Sequence, residues 1–257
     1  MSLSHLWERV PEGQERVCVL EPKLLNALMD ITDNIAAVDM SSVILAAGDG
    51  SRFGLRPKGL LERDGQPLVA RQIELLACAG LRRIVVVLGR HAAAFAPLLQ
   101  QTQASVPAPV QLEWVVNPAP ELGTGASLRC ALARLLPEPE AIMVLLADQP
   151  LLQAEDIDAV LRAWQARAPG IELVVPTYQE KFGHPLIFGA ALQRWLALQP
   201  ASEGVRDWRR AHPAQVRALP VAHPRCTLDI DTEADLTALA AAHGVHLQWP
   251  DSMAQET

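Results

Sequence analysis

Leu45-Ala46-Ala47-Gly48-Asp49-Gly50-Ser51-Arg52-Phe53-Gly54, followed by Pro57-Lys58, sets three glycines and two cations directly after an apolar run. A glycine loop at a strand end lets backbone N–H groups approach an anion closely, and Arg52 and Lys58 add charge suited to a polyphosphate. Two other phosphate motifs fail on spacing. Walker A places Lys directly after its last glycine, whereas Lys58 lies four residues past Gly54. The dinucleotide fingerprint is G-x-G-x-x-G, whereas three residues separate Gly50 from Gly54. The alternative is a plain glycine turn carrying surface cations.

Asp148 ends the run Ile142–Ala147 and precedes Gln149-Pro150. A carboxylate at the carboxyl end of a buried strand points into the crevice where open α/β sheets bind ligands. Facing a triphosphate it would anchor Mg2+, which binds through one or two carboxylates plus substrate phosphates. By itself it could equally cap a turn. In Leu228-Asp229-Ile230-Asp231-Thr232-Glu233-Ala234-Asp235, an inward Ile230 on a short strand puts Asp229 and Asp231 on the other face. One can then reach a metal while Thr232 and Asp235 cap a helix; the alternative is an acidic helix start in solvent. Gly123-Thr124-Gly125-Ala126-Ser127 feeds a helix whose first N–H groups, with Ser127, could bond a base or ribose. Gly183-His184-Pro185 sits in a loop, so His184 is a candidate for second-substrate contact or a structural turn. There is no G-x-S-x-G, no H-E-x-x-H and no Cys/His cluster, and His243 and His246 straddle Gly244.

These residues need elements to position them. Continuous apolar runs at 42–47, 83–88, 112–116, 141–147 and 172–175 read as strands buried on both faces. Helical patterns at 67–79, 91–99, 126–136 and 154–166 lie between them, so the rhythm predicts a mostly parallel twisted sheet between helix layers. Further helices are expected at 190–197 and 205–211, and a last one from a Thr232 cap to His243–Gly244. Residues 1–40 form an N-terminal extension with one apolar stripe, Leu24, Leu28, Ile31 and Ile35. A single domain over 41–247 and a C-terminal tail over 248–257 complete the expected organisation.

Composition removes several function classes. Of 257 residues half are apolar and 20% charged, which excludes a disordered chain. With 22 Lys and Arg against 29 Asp and Glu the net charge is −7, the wrong sign for neutralising nucleic-acid phosphates. One Tyr gives no aromatic stacking platform. No apolar run nears the ~20 residues of a membrane span. Residues 1–16 carry Glu8, Glu12 and Glu15 without an apolar core, against a secretory signal. Cys18, Cys78, Cys130 and Cys226 are far apart without C-x-x-C, which reads as reduced, mostly buried thiols in a cytoplasmic protein.

Together, the glycine loop through Pro57-Lys58, Asp148-Gln149-Pro150, Gly183-His184-Pro185 and Asp229-Ile230-Asp231-Thr232-x-x-Asp235-Leu236 resemble the MobA-like nucleotidyltransferase family, in order, over roughly 41–244. Within it the chain looks most like the molybdenum cofactor cytidylyltransferases (MocA-type). The resemblance implies a three-layer, Rossmann-like nucleotidyltransferase fold. It implies transfer of CMP from CTP to the terminal phosphate of a molybdopterin-type cofactor, with Mg2+ and release of pyrophosphate. A molybdoenzyme or its chaperone is the implied partner, with neither nucleic acid nor membrane. It places Leu45, Ala46, Ala47, Gly48, Gly50, Arg52, Lys58, Gly123 and Ser127 at the nucleotide. Asp148 and Asp231 fall at the metal, Arg52, Lys58 and Asp148 at the chemistry, and Gly183, His184 and Pro185 at the acceptor. Ala47 matches the cytidylyl form, where guanylyl members usually read Leu-Ala-Gly-Gly. The chain departs from the family at Ser202-Glu203-Gly204-Val205-Arg206, where Gly-Asp-x-Gly-x-Arg is usual, and at Gly125, where Ser is common. Rival readings are a GTP- or sugar-phosphate-specific enzyme of the same fold, a non-catalytic nucleotide-binding chaperone, and an NAD(P)-dependent oxidoreductase.

Overall fold

The structure, a computed structural model, describes residues 39–254. The stripe Leu24, Leu28, Ile31 and Ile35, Cys18 and the proposed extension up to residue 38 lie outside the described residues.

The chain begins with β1 (Met40–Ala46) and then forms a small hairpin, β2 (Glu62–Arg63) and β3 (Gln66–Pro67), before α1 (Leu68–Cys78). Next come β4 (Arg83–Leu88), α2 (Ala92–Ser105), β5 (Gln111–Val116), α3 (Thr124–Arg134), β6 (Ala141–Leu146) and α4 (Ala154–Gln165). The second half holds β7 (Leu173–Tyr178), β8 (Lys181–Phe182), β9 (Leu186–Gly189), α5 (Ala190–Leu198) and α6 (Val205–Ala211). It closes with β10 (Val216–Pro220), α7 (Glu233–His243), β11 (Leu247–Gln248) and a one-turn α8 (Asp251–Ala254).

The main sheet runs β10-β7-β9-β6-β1-β4-β5, with β8 paired to β7. β1 pairs in parallel with both β4 and β6, while β9 is antiparallel to β6 and β7. Ile44, Val86 and Leu145 on one face and Val43, Val87 and Val144 on the other are all shielded from water, so helices cover both faces. Leu128 and Ala131 of α3, Leu192 and Leu196 of α5 and Trp208 of α6 close the second face. The expected three-layer α/β fold is therefore present. No helix among the described residues is long and apolar enough to cross a membrane.

A second, smaller core lies at the carboxyl edge of the sheet: Phe53, Leu61, Leu68, Leu151, Ile230 and Leu239, with Leu228, Leu247 and Trp249 packed against it. It joins the glycine loop, through Phe53, to the acidic segment, through Ile230. Trp249, within the expected tail at 248–257, packs against this core. Gln248 pairs with Glu62, and the Trp249 ring meets Phe53 edge-on at 6.0 Å, with the Arg56 guanidinium 4.4 Å from its centre.

Other differences also have packing causes. α2 runs past Pro97 to Ser105, because Phe95, Leu99 and Thr102 bury one face. Pro97, the sixth residue, withholds one i→i−4 donor, a cost that this buried face offsets. The half-exposed edge strand β10, ending in Pro220, lacks the continuous apolar run used to find the others. Residues 228–230 are extended but form no strand, although Ile230 is fully buried as expected. The thiols are less buried than expected: Cys226 is buried, Cys130 half-buried and Cys78 exposed.

Candidate active site

After β1 the chain crosses to β4 on one side, and only later returns to β6 on the other. The carboxyl ends of β1 and β6 thus open a crevice at the switch point of the sheet. The glycine loop enters it from β1 and Asp148 from β6. Ala147 N donates to the Leu45 carbonyl (3.0 Å) and Ile230 N to that of Asp148 (3.2 Å), which ties the β6 end to both neighbours.

Gly50 is required by the loop itself. Its φ is +65°, and a Cβ would stand 1.9 Å from the Arg56 carbonyl oxygen. The Gly50 carbonyl accepts from Phe53 N (2.7 Å) and Leu55 N (3.0 Å), so the loop is wound tightly. Gly48 is different: it is exposed, and a Cβ there would meet nothing within 4 Å. No packing demand explains that glycine.

Four charged groups converge beyond the loop. The Lys58 ammonium lies 2.6 Å from Asp148 Oδ2 and 2.8 Å from Asp231 Oδ1, and Arg52 Nη1 is 3.3 Å from Asp231 Oδ2. The Lys58 and Asp148 side chains are 15% and 18% exposed, dry enough for their attraction to matter. Burial alone would depress the Lys58 ammonium, but Asp148 and Asp231 more than offset it and raise its pKa. Asp229 titrates above the usual carboxylate range, through desolvation and then the charges of Asp148 and Asp231.

This donor set fits a divalent ion. Two carboxylates, 83 residues apart in the chain, already face one cationic point, the ammonium. Among the described residues no three His, Cys, Asp or Glu side chains group as a closed metal cage. An open pair is what Mg2+ uses when substrate phosphates complete its shell. The helix cap takes part as well: Asp235 Oδ2 accepts from Thr232 N (2.7 Å) and from Asp231 N (2.9 Å), so the α7 cap fixes the Asp231 backbone.

The remaining predicted residues gather in two places. Gly123 (φ +92°, ψ −169°) turns the chain into α3, a conformation open essentially to glycine alone. Ser127 is buried, and its hydroxyl accepts from Asn117 Nδ2 at 3.0 Å. Gly183 and His184 line a separate cavity of about 500 Å³, with Leu45 on its floor. Leu45, expected at the nucleotide, lines this cavity as well. Pro185 is buried behind them. Loss of hydration lowers the His184 imidazole to about 4, so it is neutral at pH 7. Gly183 must be glycine, since a Cβ would come 2.1 Å from the Cys226 carbonyl oxygen.

Several positioning residues escaped the sequence reading. Gln72 Nε2 donates to the Gln149 carbonyl (2.8 Å), and Gln149 Nε2 to the Cys226 carbonyl (2.9 Å), fixing the turn after Asp148. Arg129 donates to the carbonyls of Gln199 (2.9 Å), Pro200 and Glu203 (3.1 Å), and so holds the loop before α6. Gly125 packs on that loop, where a Cβ would be 2.0 Å from the Glu203 carbonyl oxygen. Only Asn117 had a local signal, an Asn-Pro pair just after a strand.

Comparison with known proteins agrees with this layout. Rv0371c from Mycobacterium tuberculosis H37Rv is 28% identical, with a TM-score of 0.62 over 79% of this chain and 99% of that one. The same protein has been solved in complex with manganese (26% identity, TM-score 0.57). Among curated proteins, the bifunctional protein GlmU of Mycobacterium ulcerans is 28% identical over 148 residues, 57% of this chain and 30% of that relative. The bifunctional IPC transferase and DIPP synthase of Thermococcus kodakarensis is 39% identical over 90 residues, 35% of this chain and 20% of its own. The chain thus spans less than a third of these curated relatives. The family model for the MobA-like NTP transferase domain matches residues 42–216, from within β1 to the first residue of β10. That span takes in both the glycine loop and Asp148 together with the sheet that presents them, and the chain belongs to the MobA-like NTP transferase family.

Proposed function

We propose that this protein transfers CMP from CTP to the terminal phosphate of a molybdopterin-type cofactor and releases pyrophosphate. The observation that carries the reading is the Lys58 ammonium held between Asp148 and Asp231, beside Arg52, at the switch point of the sheet. Family membership supports nucleotidyl transfer, and the Ala47 form of the loop supports CTP. The open space at Gly48 supports close approach of a phosphate to the backbone. The manganese complex of Rv0371c supports a divalent ion, taken here as Mg2+. The reading places the protein in the cytoplasm and hands its product to a molybdoenzyme or its chaperone.

The chemistry asks for no strong base. A phosphate monoester has a second pKa near ~6, so the acceptor arrives at neutral pH as a dianionic nucleophile. The obstacle is repulsion between that dianion and the triphosphate. Asp148 and Asp231 would hold the metal, which supplies charge neutralisation on the phosphates when bound. Released from those carboxylates, Lys58 and Arg52 turn to the phosphate oxygens and stabilise the charge on the departing pyrophosphate. Gly123, Ser127 and the α3 N-terminus position the nucleoside, while Gly183 and His184 border the acceptor.

The test is pyrophosphate release with CTP, Mg2+ and molybdopterin. Asp148→Ala is expected to lower turnover by about 1,000-fold; full activity in that variant overturns the reading. A thermal-shift panel of nucleotides with Mg2+ separates CTP from GTP.

A further inference from the structure

A second cavity, of about 390 Å³, opens beside the turn that follows Asp148. It shares no lining residue with the one beside His184, whose rim carries Lys181, Arg206 and Arg209. Four segments wall it: β2 with Arg63, the turn after β6 with Leu151 and Gln153, the stretch His223-Pro224-Arg225, and the end of α7 with His243 and Val245 just beyond. Half of this lining is basic, Arg63, His223, Arg225 and His243, and among the described residues none of it is a carboxylate.

The hydrogen bonds already made leave donors to spare. Arg225 commits Nε and Nη2 to the buried Asp156 (2.8 and 2.9 Å). Arg63 commits Nη1 to the Pro150 carbonyl (2.8 Å), and its Nε lies 3.4 Å from the exposed Asp64. Among the described residues, Nη1 of Arg225 and Nη2 of Arg63 have no acceptor. His223 adds to the surplus. Its Nε2 lies 2.8 Å from Arg225 Nη2, and a guanidinium only donates, so Nε2 accepts and the ring proton sits on Nδ1. That buried N–H finds no acceptor among the described residues. Arg71, whose buried Nε also lacks one, stands close enough to Arg63 for the two charges to oppose. A basic wall with unspent N–H groups selects a compact anion that carries two charges and several acceptor oxygens.

The same wall reaches the crevice through the backbone. Arg63 holds the carbonyl of Pro150, two residues past Asp148. Arg225 precedes Cys226, whose carbonyl accepts from Gln149 Nε2 (2.9 Å), and that segment runs on to Asp231. We infer that this cavity is a second anion site, for a phosphate dianion either free or as the head of a small ester, and that its occupant clamps residues 149–153 to residues 223–231. Oxygens bridging Arg63 and Arg225 would join β2 to the approach to Asp231 without breaking a bond now made. The occupant is thus an effector that steadies the supports of Asp148 and Asp231 from behind, not a reactant. The assignment stands apart from the transfer reading and does not depend on it.

The full chain, titrated with inorganic phosphate and with glycerol phosphate at constant ionic strength, tests this by melting temperature and amide hydrogen exchange. Phosphate should raise the melting temperature and slow exchange severalfold at residues 149–153 and 223–231. His243→Glu places a carboxylate at the cavity from an exposed position. It should weaken phosphate on the order of tenfold, with the thermal shift given by CTP and Mg2+ unchanged. If that variant does not fold, Arg63→Gln replaces it with the same expectation. Tighter binding of glycerol phosphate identifies an ester as the occupant, and tighter binding of inorganic phosphate the free ion. Phosphate held only at Lys58 and Arg52 would leave exchange at 223–225 unaltered and survive His243→Glu; that result overturns the inference, as does the absence of any phosphate-dependent shift.

Discussion

The molecule holds two clusters of cations within one domain, and they differ in what neutralises them. Lys58 and Arg52 have their counter-ions built in, Asp148 and Asp231, brought from 90 and 173 residues beyond Lys58. Lys181, Arg206 and Arg209 have almost none. The difference teaches how each region handles its ligand. The first arranges charge in advance, so on the proposed reading a metal and polyphosphate would exchange partners with groups already in place. The second, among the described residues, carries cations with little built-in neutralisation above an apolar floor.

The contrast breaks most severely at Lys58. Lys58→Ala leaves Asp148 and Asp231 facing each other without the ammonium, and turnover is expected to fall about 100- to 1,000-fold with a raised KM for nucleotide. Steady-state pyrophosphate release measures this, and a variant with unchanged kcat removes Lys58 from the chemistry. A change beneath the first cluster comes next. Phe53→Ala empties the small core that joins the glycine loop to Ile230, and should cost about 3 kcal/mol in urea unfolding. A loss well under ~1 kcal/mol would mean that this core does not seat the loop.

Gly125→Ala sharpens the comparison from the acceptor side. Its methyl would collide with the Glu203 carbonyl and displace the loop leading into α6. A cost of about 1–3 kcal/mol is expected, with KM for the acceptor rising more than KM for CTP. Equal rises would show that α6 serves both substrates. The smallest effect belongs to His184. Its folded pKa, near 4, lies below the ordinary 6.5, so between those values the unfolded chain binds a proton that the native ring refuses. Stability is undiminished above pH 6.5 and falls as pH drops towards 4. Denaturant melts at several pH values should show that slope, and His184→Gln should flatten it.

The legible parts of the sequence were those whose cause is local. The runs that became β1, β4 and β6 declare burial on both faces without reference to anything distant. Thr232 and Asp235 announce a helix start three residues apart, and Gly244 its stop, at a φ of 64°. The glycine loop and Asp148 stand out because strand ends are where α/β sheets present ligand groups. What stayed hidden works across long separations. Gln72 supports a turn 77 residues away, and Trp249 covers Phe53 from the far end of the domain. Gly125 reads as a helix-entry residue, whereas its reason is a carbonyl at Glu203. The cavity beside His184 is assembled from α3, α6, β8 and four strands of the sheet, and no one of them signals it.

Arg129 holds residues 199–203 entirely by their carbonyl oxygens. Such a rivet is blind to side-chain identity. The segment can exchange its residues while the arginine-bearing helix behind it stays in register, which makes Ser202 and Glu203 natural positions for redesigning substrate preference without rebuilding the scaffold.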